Sequence, residues 1–198
     1  MAYNKVIKSD DSQAFGLLLE NKEFFEQRNA YMKTVNDYYK AHGTVAGCPG
    51  IEDDTVRDLD ARVTDEQHCP YPVRFSYENH KQIQQIDKML VRLTEKPETL
   101  FKGWLFHGGE AIVNLANNRL QLMFDEKPGE QQRKELYKNG FRFAYKSTAW
   151  QRPLSHKAIS AADRLDFIKP LNGQKPSELQ PKAPKRNDNC LEEKRDAT

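Results

Sequence analysis

Asn118-Arg119-Leu120-Gln121-Leu122-Met123-Phe124 leads, through Pro128 and a run centred on Leu136, into Gly140-Phe141-Arg142-Phe143-Ala144-Tyr145, a polar turn, and Ala149-Trp150-Gln151-Arg152. Aromatic and basic residues alternate here. Successive strand side chains point to opposite faces, so the pattern predicts rings on one face of each strand and guanidinium or ammonium groups on the other. Lys146-Ser147-Thr148 makes the turn of a hairpin. Pro128 marks a helix start and Asn139-Gly140 a helix stop, which predicts a helix over Gly129 to Asn139.

Upstream, the period stays at two. Gly103 to Phe106 reads as a short strand and His107-Gly108-Gly109 as a turn. Glu110 to Ala116 is a strand with Ala111, Val113 and Leu115 on one face, and Asn117-Asn118 suits a two-residue hairpin turn because Asn tolerates positive φ. The returning strand Arg119 to Asp125 turns Leu120, Leu122 and Phe124 inward. Downstream, Ser155 caps a last helix carrying Ile159, Ala162, Leu165 and Ile168. Residues 99–171 therefore form a ββαββα-like module with one further short strand ahead of it.

Residues 1–98 follow the helical period. Ala14 to Leu19 reads as one helical turn, and Asn21 as the cap of a helix reaching about Ala41, with apolar stripes Phe25/Met32/Val35/Tyr39 and Phe24/Tyr31/Tyr38. His42-Gly43 ends it. Residues 43–72, with Gly47, Pro49, Gly50, Pro70, Pro72 and the acidic Glu52-Asp53-Asp54, read as an irregular loop holding one short helix near Thr55 to Ala61. Val73 to Tyr77 reads as extended. Glu78 or Asn79 opens a second helix that Pro97 closes, with the seam Ile83/Ile86/Leu90/Leu93. After Pro170 periodicity ends, and 172–198 reads as a disordered tail. The fold class is α+β: an N-terminal helical hairpin, then a small antiparallel sheet flanked by two helices.

Hydrophobic residues make up 37% of the chain and charged ones 30%, a polar balance, but 10% aromatics argue against wholesale disorder. No apolar run approaches the roughly 20 residues that span a bilayer, and Met1 to Lys5 lacks the apolar stretch of a signal peptide. The lack of such a run predicts no membrane partner, and Cys48, Cys69 and Cys190, an odd number outside any disulfide framework, predict a reducing cytoplasm. Charge is divided along the chain. Ser9 to Glu66 holds 13 acidic and 6 basic residues, net −7, while Gly129 to Lys175 holds 4 acidic and 10 basic, net +6. Two oppositely charged surfaces suit two partners; mutual attraction of the halves, screened beyond about 8 Å in physiological salt, is the alternative.

Candidate chemistry is sparse. His42, Cys48, His68 and Cys69 are zinc-binding types near one loop, but adjacent residues such as His68-Cys69 diverge and no Cys-x2-Cys knuckle exists, so no metal is expected. Glu110 beside His107 has no second carboxylate at a spacing suited to acid–base work. Gly103 to Gly109 is no phosphate loop, since no Gly-Lys-Ser/Thr follows. No nucleophile has an assignable base, and no cofactor is expected. The basic–aromatic hairpin has the best claim. Arg119, Arg133, Lys134, Lys138, Arg142, Lys146, Arg152 and Lys157 are predicted to gather beside the sheet, with Trp150 or Tyr145 as a stacking ring for RNA or DNA. Against this, such a Trp is often core and such cations a solvated face.

The series Gly103-Trp104, Gly108-Gly109-Glu110, Asn118-Arg119-Leu120-Gln121, Lys127-Pro128, Asn139-Gly140-Phe141-Arg142-Phe143, Ala149-Trp150-Gln151-Arg152 and Leu154 resembles an uncharacterised accessory module of bacteriophages and conjugative elements. It is of the kind found as large polyvalent protein-associated domains. The core of that module reads Asn-Gly-Phe-Arg/Lys-Trp, a spacer, then Trp-Gln-Arg; this chain has Phe143 at the first Trp. Ala30-Tyr31-Met32-Lys33, Tyr38-Tyr39-Lys40 and Gly47-Cys48-Pro49-Gly50 are similar to a segment found ahead of that core. The resemblance implies no catalytic residues. It implies a bacterial cytoplasmic setting and a non-enzymatic counter-defence role of the anti-CRISPR or anti-restriction kind, exerted on a host nucleic-acid-handling complex or its RNA or DNA. Two alternatives are an accessory module for element transfer or replication, and a hydrolase acting on nucleic acid.

Overall fold

A computed structural model describes residues 6–64 and 67–182. Its elements run α1 (Ala14–His42), α2 (Asp53–Asp60), α3 (Val73–Glu95), β1 (Trp104–Phe106), β2 (Gly109–Asn114), β3 (Arg119–Phe124), α4 (Glu130–Lys138), β4 (Arg142–Ala144), β5 (Ala149–Pro153) and α5 (His156–Ala162). The fold is α+β.

The helical hairpin forms as expected, with two corrections. α1 is unbroken from Ala14, and Asn21 is an interior residue, 2% exposed, instead of a cap. Nothing between Leu19 and Lys22 breaks the helix, and Asn costs only a few tenths of a kcal/mol more than its neighbours there, so packing of Leu17 and Leu18 decides. Gly43, at φ 73°, ends the helix by donating its N–H to Tyr39 O at 2.7 Å. α3 starts at Val73, so the expected extended Val73 to Tyr77 is helical. Its strand-like composition reflects exposed side chains, with Val73 78% exposed and Tyr77 59%, and such propensity yields to context.

Three contacts fix α1 antiparallel to α3. Lys22 Nζ meets Asp87 at 2.8 Å, and Asn79 Nδ2 donates to Asn29 Oδ1 at 2.8 Å. Asn36 makes a two-way bond with the Tyr71 backbone at 2.8 and 2.9 Å. The hydrogen bond to Asp87 raises the Lys22 pKa above its ordinary value. At the hairpin's far end Val35, Val45, Cys48 and Leu59 form a small core of their own, and Asp60 secures the loop by accepting from Thr44 Oγ1 at 2.6 Å and Val45 N at 2.9 Å.

The sheet is antiparallel in the order β1-β2-β3-β5-β4. Its β2–β3 loop has four residues, Leu115–Asn118, instead of two, because Asn114 pairs with Arg119. The N-terminal segment explains this. Leu115 N donates to Ile7 O at 2.8 Å, while Asn114 Oδ1 accepts from Ile7 N and Ala116 N, which draws Leu115 and Ala116 inward. Asn118 closes the loop at φ 52°. One face of the sheet carries Trp104, Ala111, Leu122 and Trp150 in one row. The other carries a buried amide ladder: Asn114 donates to Gln121 at 3.0 Å, and Gln121 donates to Gln151 at 3.1 Å.

One apolar core joins Leu17, Leu18, Ile86 and Met89 of the hairpin to Trp104, Leu122, Trp150 and the α5 residues Ile159 and Ala162. Buried Leu136 and Phe141 complete it. Residues 172–182 dock on the domain, against the expectation of a disordered tail from residue 172. Pro176–Leu179 forms a 3-10 turn whose Ser177 N donates to Asp163 at 2.9 Å, and Gln180 brackets Lys102 with bonds of 2.8 and 3.0 Å. Pro176 is buried and Leu179 packs on the core. One proline, one leucine and one amide do this, too few to show as periodicity. Expectations for residues 1–5 and 183–198 lie outside the described residues. Among the described residues no helix is long and apolar enough to cross a membrane.

Two stability measurements follow from this packing. A chain ended after Leu171 loses Leu179 and the Gln180 bracket, and its Tm should fall by about 2–4 °C per kcal/mol lost relative to a chain ended after Lys182. Equal Tm values would show that the segment contributes nothing. Asn21 Oδ1 is buried with no hydrogen-bond partner among the described residues. Asn21→Leu should therefore stabilise the fold by about 1–3 kcal/mol in urea denaturation, the cost of an unmade buried bond; destabilisation would contradict this.

Candidate functional site

The Asn139-Gly140-Phe141-Arg142 and Trp150-Gln151-Arg152 segments meet at the C-terminal end of α4. Helix carbonyls there lack intrahelical donors and carry partial negative charge. Arg152 Nη1 donates to Asn139 O, and Arg142 Nη1 donates to Tyr137 O at 3.0 Å and Phe141 O at 2.9 Å. Gly140 is needed at this crossing: its φ is 79°, and an added Cβ would sit 3.1 Å from the Arg152 guanidinium. Arg133 serves the other end of α4 by donating to Pro128 O at 2.9 Å. The arrangement turns Phe141, fully buried, and Trp150, 4% exposed, into the core.

The predicted surface changes accordingly. Arg133, Arg142 and Arg152 are engaged by backbone oxygens, and Trp150 is an interior residue instead of an open stacking ring. The predicted separation of rings from cations holds in β4, where Phe143 faces Trp150 and Arg142 faces Gln151. It fails in β5, where Trp150 and Arg152, two residues apart, share a face. Lys134 pairs with Glu130 at 2.8 Å. Lys138 and Lys146 are exposed near the hairpin. Arg119 and Lys157 stand apart: Arg119 pairs with Pro153, three strand positions or about 10 Å from the Trp150 row. The cations therefore do not gather into one patch.

What the hairpin does form is an aromatic groove of about 580 Å³, floored by Phe124, Phe143 and Trp150 and flanked by Tyr137 and Tyr145. Tyr145 is 89% exposed and edges Phe143 at 5.1 Å; Tyr137 is 50% exposed and edges Trp150 at 4.9 Å. Arg142 lies 5.3 Å from the Tyr137 ring centre. The ionic rim is balanced, Asp125 and Glu126 against Lys127 and Arg133. Tyr137 was missed as a site residue because its position in α4 reads as an ordinary helical one.

The other chemical candidates have structural contacts. Cys48 lies in the small hairpin core, Cys69 Sγ donates to Tyr71 O at 3.1 Å, and His42 stacks on Tyr38 at 4.1 Å. His68 is exposed, and among the described residues no group of His, Cys, Asp and Glu converges as a metal site. Glu110 is paired to Lys8 at 2.6 Å. No protein-family model, curated protein or solved structure matches the chain.

Trp150→Ala should cost about 3–5 kcal/mol, the range for a truncated core aromatic. Arg152→Ala should cost about 1.5–3 kcal/mol through the lost charged hydrogen bond to Asn139. Both are read by chemical denaturation; a Trp150→Ala protein of unchanged stability would show that the indole is not part of the core.

Proposed function

We propose that this chain is a non-enzymatic accessory protein of a phage or mobile element that modulates a host nucleic-acid-handling defence complex by gripping a protein component of it in the aromatic groove. The observation that carries the reading is Tyr145, a ring 89% exposed at the lip of a groove floored by buried Trp150 and the partly buried Phe124 and Phe143. Protein interfaces favour such sites: rigid Tyr and Trp residues supply large contact area at low entropic cost, and a few of them dominate binding. The balanced rim, two acids and two bases, favours a polypeptide over a polyphosphate. The counter-defence setting is supported by the resemblance of the Asn139–Arg152 segment to mobile-element modules.

The test is phage plating on bacteria that carry restriction or CRISPR systems, with and without the protein. Wild type should raise plating on at least one such host. Tyr145→Ala should abolish that gain with Tm unchanged, since a hot-spot loss of about 2 kcal/mol weakens binding roughly 30-fold. Tyr145→Phe should retain most of it. Full protection by Tyr145→Ala would remove the groove from the function, and no protection on any host would overturn the setting.

A further inference from the structure

A second group of cations lies outside the predicted hairpin patch, along α3. A groove of about 970 Å³ runs between α3 and the start of α5, lined by Lys81, Lys88, Arg92, Lys96 and Lys182 with no acidic residue among the described residues. Four of these cations follow one side of α3 and its C-cap at steps of seven, four and four, a row about 22 Å long. All five are exposed, and none makes an ion pair among the described residues, although the Lys81 ammonium lies 4.4 Å from the Tyr77 ring centre. Asp87, Glu95 and Glu98 are close in sequence but none lines the groove, and Asp87 is held by Lys22.

The rest of the lining suits the same ligand. Gln84, Gln85, Thr99, Asn118 and Ser155 supply uncharged donors and acceptors. Arg119 and Lys157 immediately follow Asn118 and His156 of the lining in the chain, though neither lines the groove itself. The docked segment after Leu171 brings Pro181 and Lys182 to the wall. Phe101 in the lining is buried, and the half-buried His156 ring packs edge-on against it at 4.8 Å, so the lining has no exposed aromatic platform like that of the hairpin groove.

We propose that this groove binds the phosphodiester backbone of a nucleic acid without reading its sequence. A row of unpaired cations with amide and hydroxyl donors between them matches a repeating anion, and phosphate contacts of this kind position a strand without specifying bases. An acidic peptide is the less suited ligand, because the groove offers it no exposed apolar anchor. The proposal does not rest on the aromatic groove, and it survives if the plating experiment fails.

Fluorescence anisotropy of the full chain, with labelled 20-nucleotide single-stranded DNA, the same RNA sequence and the corresponding duplex, tests it across a salt series from about 50 to 200 mM. Five contacts predict a log–log slope of about −3.5 on single strands and −4.5 on duplex, and which nucleic acid binds best identifies the source of the phosphates. Lys88→Ala/Arg92→Ala/Lys96→Ala should flatten the slope by about 2 to 3 units, and Lys88→Arg/Arg92→Lys/Lys96→Arg should restore it. Lys138→Ala/Lys146→Ala, on the hairpin side, should leave it unchanged. These are exposed side chains, and melting curves of each variant establish that it folds. The proposal is overturned if wild type binds none of the three, if the triple alanine variant keeps the wild-type slope, or if polyglutamate of equal charge competes as well as DNA.

Discussion

The guanidinium of Arg152 sits on the carbonyl oxygen of Asn139, joining the end of α4 to the strand that follows it by two elements. Much of the second half of the chain depends on this junction. The chain leaves α4 beneath Arg152 at a positive φ that favours Gly140, and an added Cβ there would crowd the guanidinium. The turn at Gly140 delivers Phe141 into the core and allows β4 to lie against β5, where Phe143 meets Trp150. Fixing β5 also places Gln151 to receive Gln121, whose amide is tied through Asn114 to Ile7. A charged hydrogen bond at a helix terminus thus connects, through the amide ladder, to the N-terminal segment.

The same junction divides the cations by role. Arginine's planar fork is suited to bridging carbonyl oxygens, and Arg133, Arg142 and Arg152 are used in this way. Lys81, Lys88, Arg92 and Lys96 along α3 and its C-cap, with Lys182, instead carry their charge to solvent beside one groove. The molecule therefore presents two different surfaces. One is aromatic with a balanced rim, beside β4 and β5; the other is cationic, between α3 and α5. Under the proposed function, the first would serve a polypeptide and the second phosphate.

Elements with strong local punctuation were legible in the sequence. Pro128 and Gly140 bracket α4, and Ser155 caps α5 by accepting from Ala158 N at 3.2 Å. The period of two placed β1, β2, β3, β4 and β5 because their apolar side chains meet one core. What was illegible depends on distant residues. Asn21 resembles a cap until α1 is seen to be packed on both sides of it, and the β2–β3 loop lengthens because Ile7, more than 100 residues away, pairs with Asn114. The α3 lysines resemble the solvated flank of a narrow seam. Only the α5 start and the docked segment around Gln180 turn that flank into a groove. The hairpin misled for the opposite reason: its local pattern was clear, but its arginines bind their own backbone.

The central claim is that the Asn139–Arg152 segment is a structural frame, while nucleic acid lies along α3. Hydrogen–deuterium exchange of the full chain, with and without saturating 20-nucleotide single-stranded DNA, tests it directly. The account predicts added protection over residues 81–99 and 154–157, with exchange across 139–152 already slow and unchanged by DNA. Protection centred on 139–152, with none along α3, would contradict it.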